Sequence, residues 1–162
     1  MDLDEEKFWT LVEDTWRSAA PEVADKRPGV VEDPSDDLDA VESALSSRVL
    51  PALREAFEKL SRDELIAMDR VLERKLYDID RQEIQEHTDG SDDGFLYARG
   101  WIVAVGKAYY SAVNADPSKA IMDMEEERMT YLPAEVFRKK FGEEIPPSGI
   151  SRETGSNKAG WG

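Results

Sequence analysis

Ser91-Asp92-Asp93-Gly94-Phe95-Leu96-Tyr97-Ala98-Arg99-Gly100-Trp101-Ile102-Val103-Ala104-Val105-Gly106 is the stretch on which the fold turns. It opens with short polar side chains of the kind that cap helices. Beyond them Phe95, Ala98, Ile102, Val105 and Tyr109 recur at three- and four-residue steps, the period of one helical face. Trp101, Ala104, Ala108 and Ala112 widen that stripe well past one face. A helix apolar around most of its girth belongs in the middle of a bundle. The expected fold is therefore all-α, a compact multi-helix bundle around a central apolar helix spanning about residues 95–113. Gly100 and Gly106 each lower helix propensity by roughly 1 kcal/mol, so their place in this pattern points to close approach of another backbone. Asn114-Ala115-Asp116-Pro117 ends the helix, and residues 118–127 read as a short amphipathic continuation.

Upstream, Phe8, Leu11, Val12 and Trp16 mark a first helix over about residues 4–19, with acidic residues in the turn where they complement the helix dipole. Residues 20–35 hold Pro21, Pro28, Gly29 and Pro34 among charges without periodicity, which predicts a mobile surface loop. A second helix carries Leu38, Val41, Leu45 and Val49, and Pro51 should kink or interrupt it. Ser61 and Glu64 form a capping box for a third helix bearing Leu65, Met68, Leu72, Leu76 and Ile79. Its far end, residues 80–87, is polar enough to read as solvated. A last helix spans about residues 133–141, and Gly142 stops it. The domain is expected to cover residues 1–147. The tail over 148–162, with four glycines and only Ile150 and Trp161 as large apolar residues, is expected to be disordered.

Thirty-six acidic against 21 basic side chains give a net charge of −15. Residues 1–46 alone carry 14 acidic and 4 basic ones, a net of −10. Such a field repels nucleic acid and anionic lipid, which are bound through clustered Lys and Arg, whereas a basic protein partner suits it. The chain has no cysteine, which excludes disulfides, thiolate metal sites and cysteine nucleophiles. The acidic start Met1-Asp2-Leu3-Asp4-Glu5-Glu6 is unlike a secretory signal. The richest apolar run, from Phe95 to Val113, contains Arg99 and Lys107 and falls short of a membrane span. A soluble, cytoplasmic protein is expected, and nothing in the sequence specifies an oligomeric state.

The block Ser91-Asp92-Asp93-Gly94-Phe95, then Arg99-Gly100-Trp101-Ile102, then Gly106 and Tyr109, resembles the signature of a bacterial family catalogued as domain of unknown function 4240. Phe8-Trp9-Thr10-Leu11-Val12-Glu13 and Asn114-Ala115-Asp116-Pro117 extend the resemblance over about residues 4–120. The charged segment from Asp78 to Glu86 departs from the apolar, aromatic one usual there. The resemblance implies an all-helical fold and carries no established activity.

Asp89-x-Ser91-x-Asp93-Gly94 imitates the first half of a calcium-binding loop, but the twelfth position is Gly100 where a bidentate Glu is required. Ser91 or Asp92 is instead expected to cap the central helix. Arg99, the one cation between Arg81 and Lys107, needs a partner in apolar surroundings. Two readings stand: an ion pair with Asp92, Asp93 or an acid from another helix, or an anion clamp beside the helix N-terminus. His87 is the single histidine, in a polar, solvated-looking segment. No cofactor or metal is implied by any pattern. Two functions remain in view. The first, favoured by charge and by the lack of a catalytic constellation, is a non-catalytic interaction or regulatory module, immunity-type proteins included. The second is a small-ligand-binding protein or enzyme with a site formed by Asp92, Asp93, Arg99 and Tyr109, on a frame of Ser91, Gly94, Phe95, Trp101 and Gly106.

Overall fold

Helix α1 (Leu3–Ala19) starts where the Asp2 carboxylate accepts the Glu5 amide at 2.8 Å. Its Phe8, Trp9, Val12 and Trp16 are buried. The computed structural model describes residues 2–88 and 90–162, with the side chain of Ser35 left aside. Asp89, first residue of the calcium-like motif, lies outside the described residues.

Residues 20–35, expected as a mobile loop, are mostly helical instead. Helices α2 (Pro21–Ala24) and α3 (Arg27–Glu32) each carry proline in the first turn, where its missing N–H costs nothing. Segments this short do not hold a helix alone. Tertiary contacts hold these: Val23, Ala24 and Val30 enter the core, and Arg27 forks onto Glu13 at 2.9 and 3.0 Å.

Helix α4 (Pro34–Ala44) runs through a π-helical turn, Leu45–Val49, into α5 (Leu50–Glu58). Pro51 was expected to interrupt this run; it sits in the first turn of α5. The wider turn before it takes up the break in the hydrogen-bond ladder that proline forces. The capping box forms in full, Ser61 Oγ accepting the Glu64 amide at 3.2 Å and Glu64 Oε1 accepting the Ser61 amide at 3.0 Å. It starts α6 (Arg62–Asp78), which is followed by the short α7 (Gln82–Gln85).

The central helix is two helices, α8 (Asp92–Val105) and α9 (Lys107–Ala115). They meet at Gly106, whose φ of 128° and ψ of 176° suit only glycine. The apolar stripe continues across the break, so periodicity does not reveal it. Carbonyls freed at the end of α8 find side-chain donors: Trp16 Nε1 bonds Ala104 O and Arg27 Nη1 bonds Val105 O, both at 2.9 Å. Gly100 does mark a close backbone approach, for a Cβ there would stand 2.7 Å from Glu126 O. The stretch read as amphipathic continuation holds two short 3-10 turns, Pro117–Lys119 and Glu127–Met129. Helix α10 (Leu132–Phe141) follows and ends at Gly142, φ 70°.

From Gly94 to Val105 every residue but Tyr97 is buried, so α8 is the middle of the bundle. It packs on α6, α9 and the Glu127–Met129 turn, while α6 also faces α1 and α10. No strand occurs among the described residues, and the fold is all-α. No described helix is long and apolar enough to cross a membrane. The tail is not a free coil: it returns across α6 and the start of α8, and buries Arg152.

Candidate functional site: the capped end of helix α6

The last four carbonyls of a helix have no partner within it, and in α6 each of them receives a side-chain donor. Tyr110 Oη bonds Lys75 O at 2.8 Å, Arg99 Nη1 bonds Leu76 O at 2.8 Å, Asn157 Nδ2 bonds Tyr77 O at 3.0 Å, and Arg81 Nη1 bonds Asp78 O at 3.4 Å. This explains how Arg99, with none of its surface exposed, is held without an ion pair to a described residue. The negative end of the helix dipole faces its guanidinium, Thr154 Oγ1 accepts from Nη2 at 3.2 Å, and the Phe95 ring lies 4.7 Å from Cζ. Burial lowers its pKa to about 10, against a weak opposing pull from Asp80. The expected pairing with Asp92 or Asp93 is therefore replaced by a helix terminus and a threonine.

Asp80, expected to be solvated, is fully buried and organises the tail. Its Oδ1 accepts the Gly155 amide at 3.1 Å and Trp161 Nε1 at 3.0 Å, and its Oδ2 accepts the Asn157 amide at 3.0 Å. Trp161 meets Phe95 edge to face at 6.0 Å. Two to three turns earlier along α6, Arg152 forks onto Asp69 at 2.9 and 3.1 Å and reaches Glu73 at 2.8 Å, and it also bonds Thr130 O at 2.8 Å. Its Cζ stands 4.5 Å from the Tyr131 ring centre. Burial raises the pKa of Asp69, with Arg152 opposing. For Arg152 the carboxylates outweigh the desolvation, so its pKa is raised. Burial, with Glu153 beside it, pushes Tyr131 up to about 12.

The residues singled out in the sequence fall into separate places. Ser91 caps α8 by accepting the Gly94 amide at 3.2 Å. Asp92 and Asp93 are exposed, and the Asp92 carbonyl accepts from Thr154 Oγ1 of the tail at 2.5 Å. Tyr109 lies apart, its hydroxyl bonded to Lys119 O at 2.9 Å and its ring edge-on to Trp101 at 5.5 Å. Burial raises its pKa, as it does for Tyr110. Tyr109 lines an open cleft of about 260 Å³ with Glu13 and Arg27, behind the Gly106 break. Arg99 and Asp92 are thus linked through Thr154, while Asp93 and Tyr109 do not join them. His87 is exposed. Among the described residues no three His, Asp or Glu side chains converge as a metal site would require.

Sequence reasoning missed Asp69, Glu73, Asp80, Arg152, Asn157 and Trp161. One signal was available: Asp69 sits in the α6 stripe, four residues after Leu65 and three before Leu72, a core position that an acid occupies only with a partner.

These features define a class, an all-helical bundle whose main buried polar junction is a helix end clasped by the chain's own tail. The chain belongs to the family described as protein of unknown function (DUF4240), whose model matches residues 3–139. The match stops short of Arg152, Asn157 and Trp161. None of the curated proteins and none of the solved structures matches the chain.

Proposed function

We propose that the protein is a non-catalytic interaction or regulatory module that engages a basic protein partner through an exposed acidic face. The carrying observation is the surface of α3 and α4, where Glu32, Asp36, Asp39 and Glu42 are exposed. None of these four is in an ion pair with a described residue. Asp36, Asp39 and Glu42 follow one another at three-residue steps, a spacing at which like charges repel at a cost of roughly 0.2–0.5 kcal/mol per pair. A cationic partner relieves that repulsion, and its association is speeded by the field. Neutralisation of a basic partner, as an immunity-type protein does, is one form the activity would take. The alternative, a small-ligand site at the start of α8, requires Thr154 to lift away, because Arg99 is closed to solvent beneath it.

The test is affinity capture from lysate of the native host at moderate salt, with wild type beside the triple variant Asp36→Asn, Asp39→Asn, Glu42→Gln. A reproducible basic partner, lost in the variant and at high salt, is expected. Capture of none, or capture indifferent to the three substitutions, contradicts the reading.

A further inference from the structure

Arg152 is held in the manner of a bound ligand. Its guanidinium is 3% exposed, engages two carboxylates and a carbonyl, and stacks on Tyr131. All the groups receiving it belong to the bundle: Asp69 and Glu73 one turn apart on α6, Thr130 and Tyr131 just before α10. Five residues after Arg152, Asn157 gives its amide to Asp80, just past the end of α6. The groove therefore reads the tail at two points, a guanidinium at one end and backbone amides at the other, with a turn between them in which the Ser156 amide bonds Glu153 O at 3.2 Å. Its occupant is held chiefly by such polar contacts, with Ile150 and Trp161 only half-buried, and it joins the bundle through Pro146-Pro147 and Gly149. Emptied, the groove would leave two side-by-side carboxylates without their cation, which is costly where they are desolvated.

We propose that the groove under residues 148–162 is a binding site for an arginine-bearing segment of a protein partner, and that the chain's own tail occupies it in cis until the partner displaces it. The proposal rests on the basic-partner reading and adds a second point of contact beside the acidic face, made through the partner's arginine. Tethering gives the tail an effective concentration of about 1 mM, so a competing segment gains access when the tail is weakened.

The probe is a fluorescein-labelled peptide of residues 147–162, titrated by fluorescence anisotropy into the 162-residue chain and into its Arg152→Ala variant. The variant is expected to bind the peptide about 100-fold more tightly than wild type does, since its tethered competitor is disabled. The same peptide carrying Arg152→Ala should not bind. Adding Asp69→Asn to the Arg152→Ala chain should weaken binding about tenfold or more, as a buried charge-assisted contact is lost. If Arg152→Ala does not keep the helical circular dichroism of wild type, Trp161→Ala takes its place. That change loosens the other end of the tail, leaves the arginine slot intact, and should raise affinity in the same direction. Equal binding to wild type and variant, or binding indifferent to the peptide's arginine or to Asp69, overturns the inference. Such a failure is separable from failure of the acidic-face reading, which the Asp36, Asp39 and Glu42 substitutions report.

Discussion

Replacing Asp80 with Asn puts the junction between the bundle and the tail under direct strain. The carboxylate receives three donors, two on Oδ1 and one on Oδ2, with none of the residue's surface exposed. A carboxamide keeps one acceptor oxygen, and its NH2 in the place of Oδ2 would face the Asn157 amide, donor against donor. One bond to a charged acceptor is lost, worth about 1.5–3 kcal/mol, and a buried N–H is left unmet at about 1–3 kcal/mol. Relaxation recovers part of this, and a net loss of about 3 kcal/mol is expected. In a domain of this size that lowers Tm by about 6–12 °C. Urea unfolding followed by circular dichroism, with exposed Asp92→Asn as control, measures it. If the tail peels away from the bundle first, the urea m-value falls too, because its surface is already exposed. A loss below about 0.5 kcal/mol with unchanged m, equal to a surface substitution, would refute the assignment of Asp80 as the tail's anchor.

Gly106→Ala should destabilise by about 3 kcal/mol or more, since it adds strain at a glycine-only conformation and breaks the clasp there. The new Cβ would stand 2.4 Å from Glu13 Oε2 and 2.6 Å from Arg27 Nη1; a loss under about 1 kcal/mol in chemical denaturation would contradict the helix break. Glu64 is held well below its ordinary pKa of 4.5, at about 2, chiefly by Lys7 and then by the Ser61 amide. A depressed carboxylate pKa stabilises the fold above the unfolded value, and that contribution is lost as pH falls through the folded one. The stability difference between wild type and Glu64→Gln should therefore be full at pH 6 and fade between about 4.5 and 2. A difference independent of pH across that window would count against the capping box and its Lys7 contact.

The elements legible in the sequence were those with their own local cause. The apolar stripe with its cap announced α8, the Ser61 box announced α6, and the acidic first turn announced α1. What stayed hidden depends on contacts distant in the chain. Helices α2 and α3 hold through Arg27 on Glu13 and through three small apolar side chains, in a stretch whose prolines and charges suggest a loop. The break at Gly106 is a matter of one residue's φ, invisible to a hydrophobic pattern that runs on through it. The tail has too few apolar residues to predict packing, and it packs by placing hydrogen-bond donors on Asp69, Glu73 and Asp80. Composition reports how much a segment can bury; it does not report which buried carboxylate awaits it. The same limit governs the site. Arg99 was correctly marked as needing a partner, but the partner is the end of a helix brought to it by folding, and the acids beside it in sequence point to solvent.

Native-state amide hydrogen exchange, resolved by NMR at Gly155 and Asn157, tests most directly whether the tail is part of the folded molecule. Both amides donate to the buried carboxylate of Asp80, so they should exchange at least about 100-fold more slowly than in a free peptide of the tail, yet faster than the amides of α8, as a segment that opens before the bundle does. Exchange at the free-peptide rate would contradict the account.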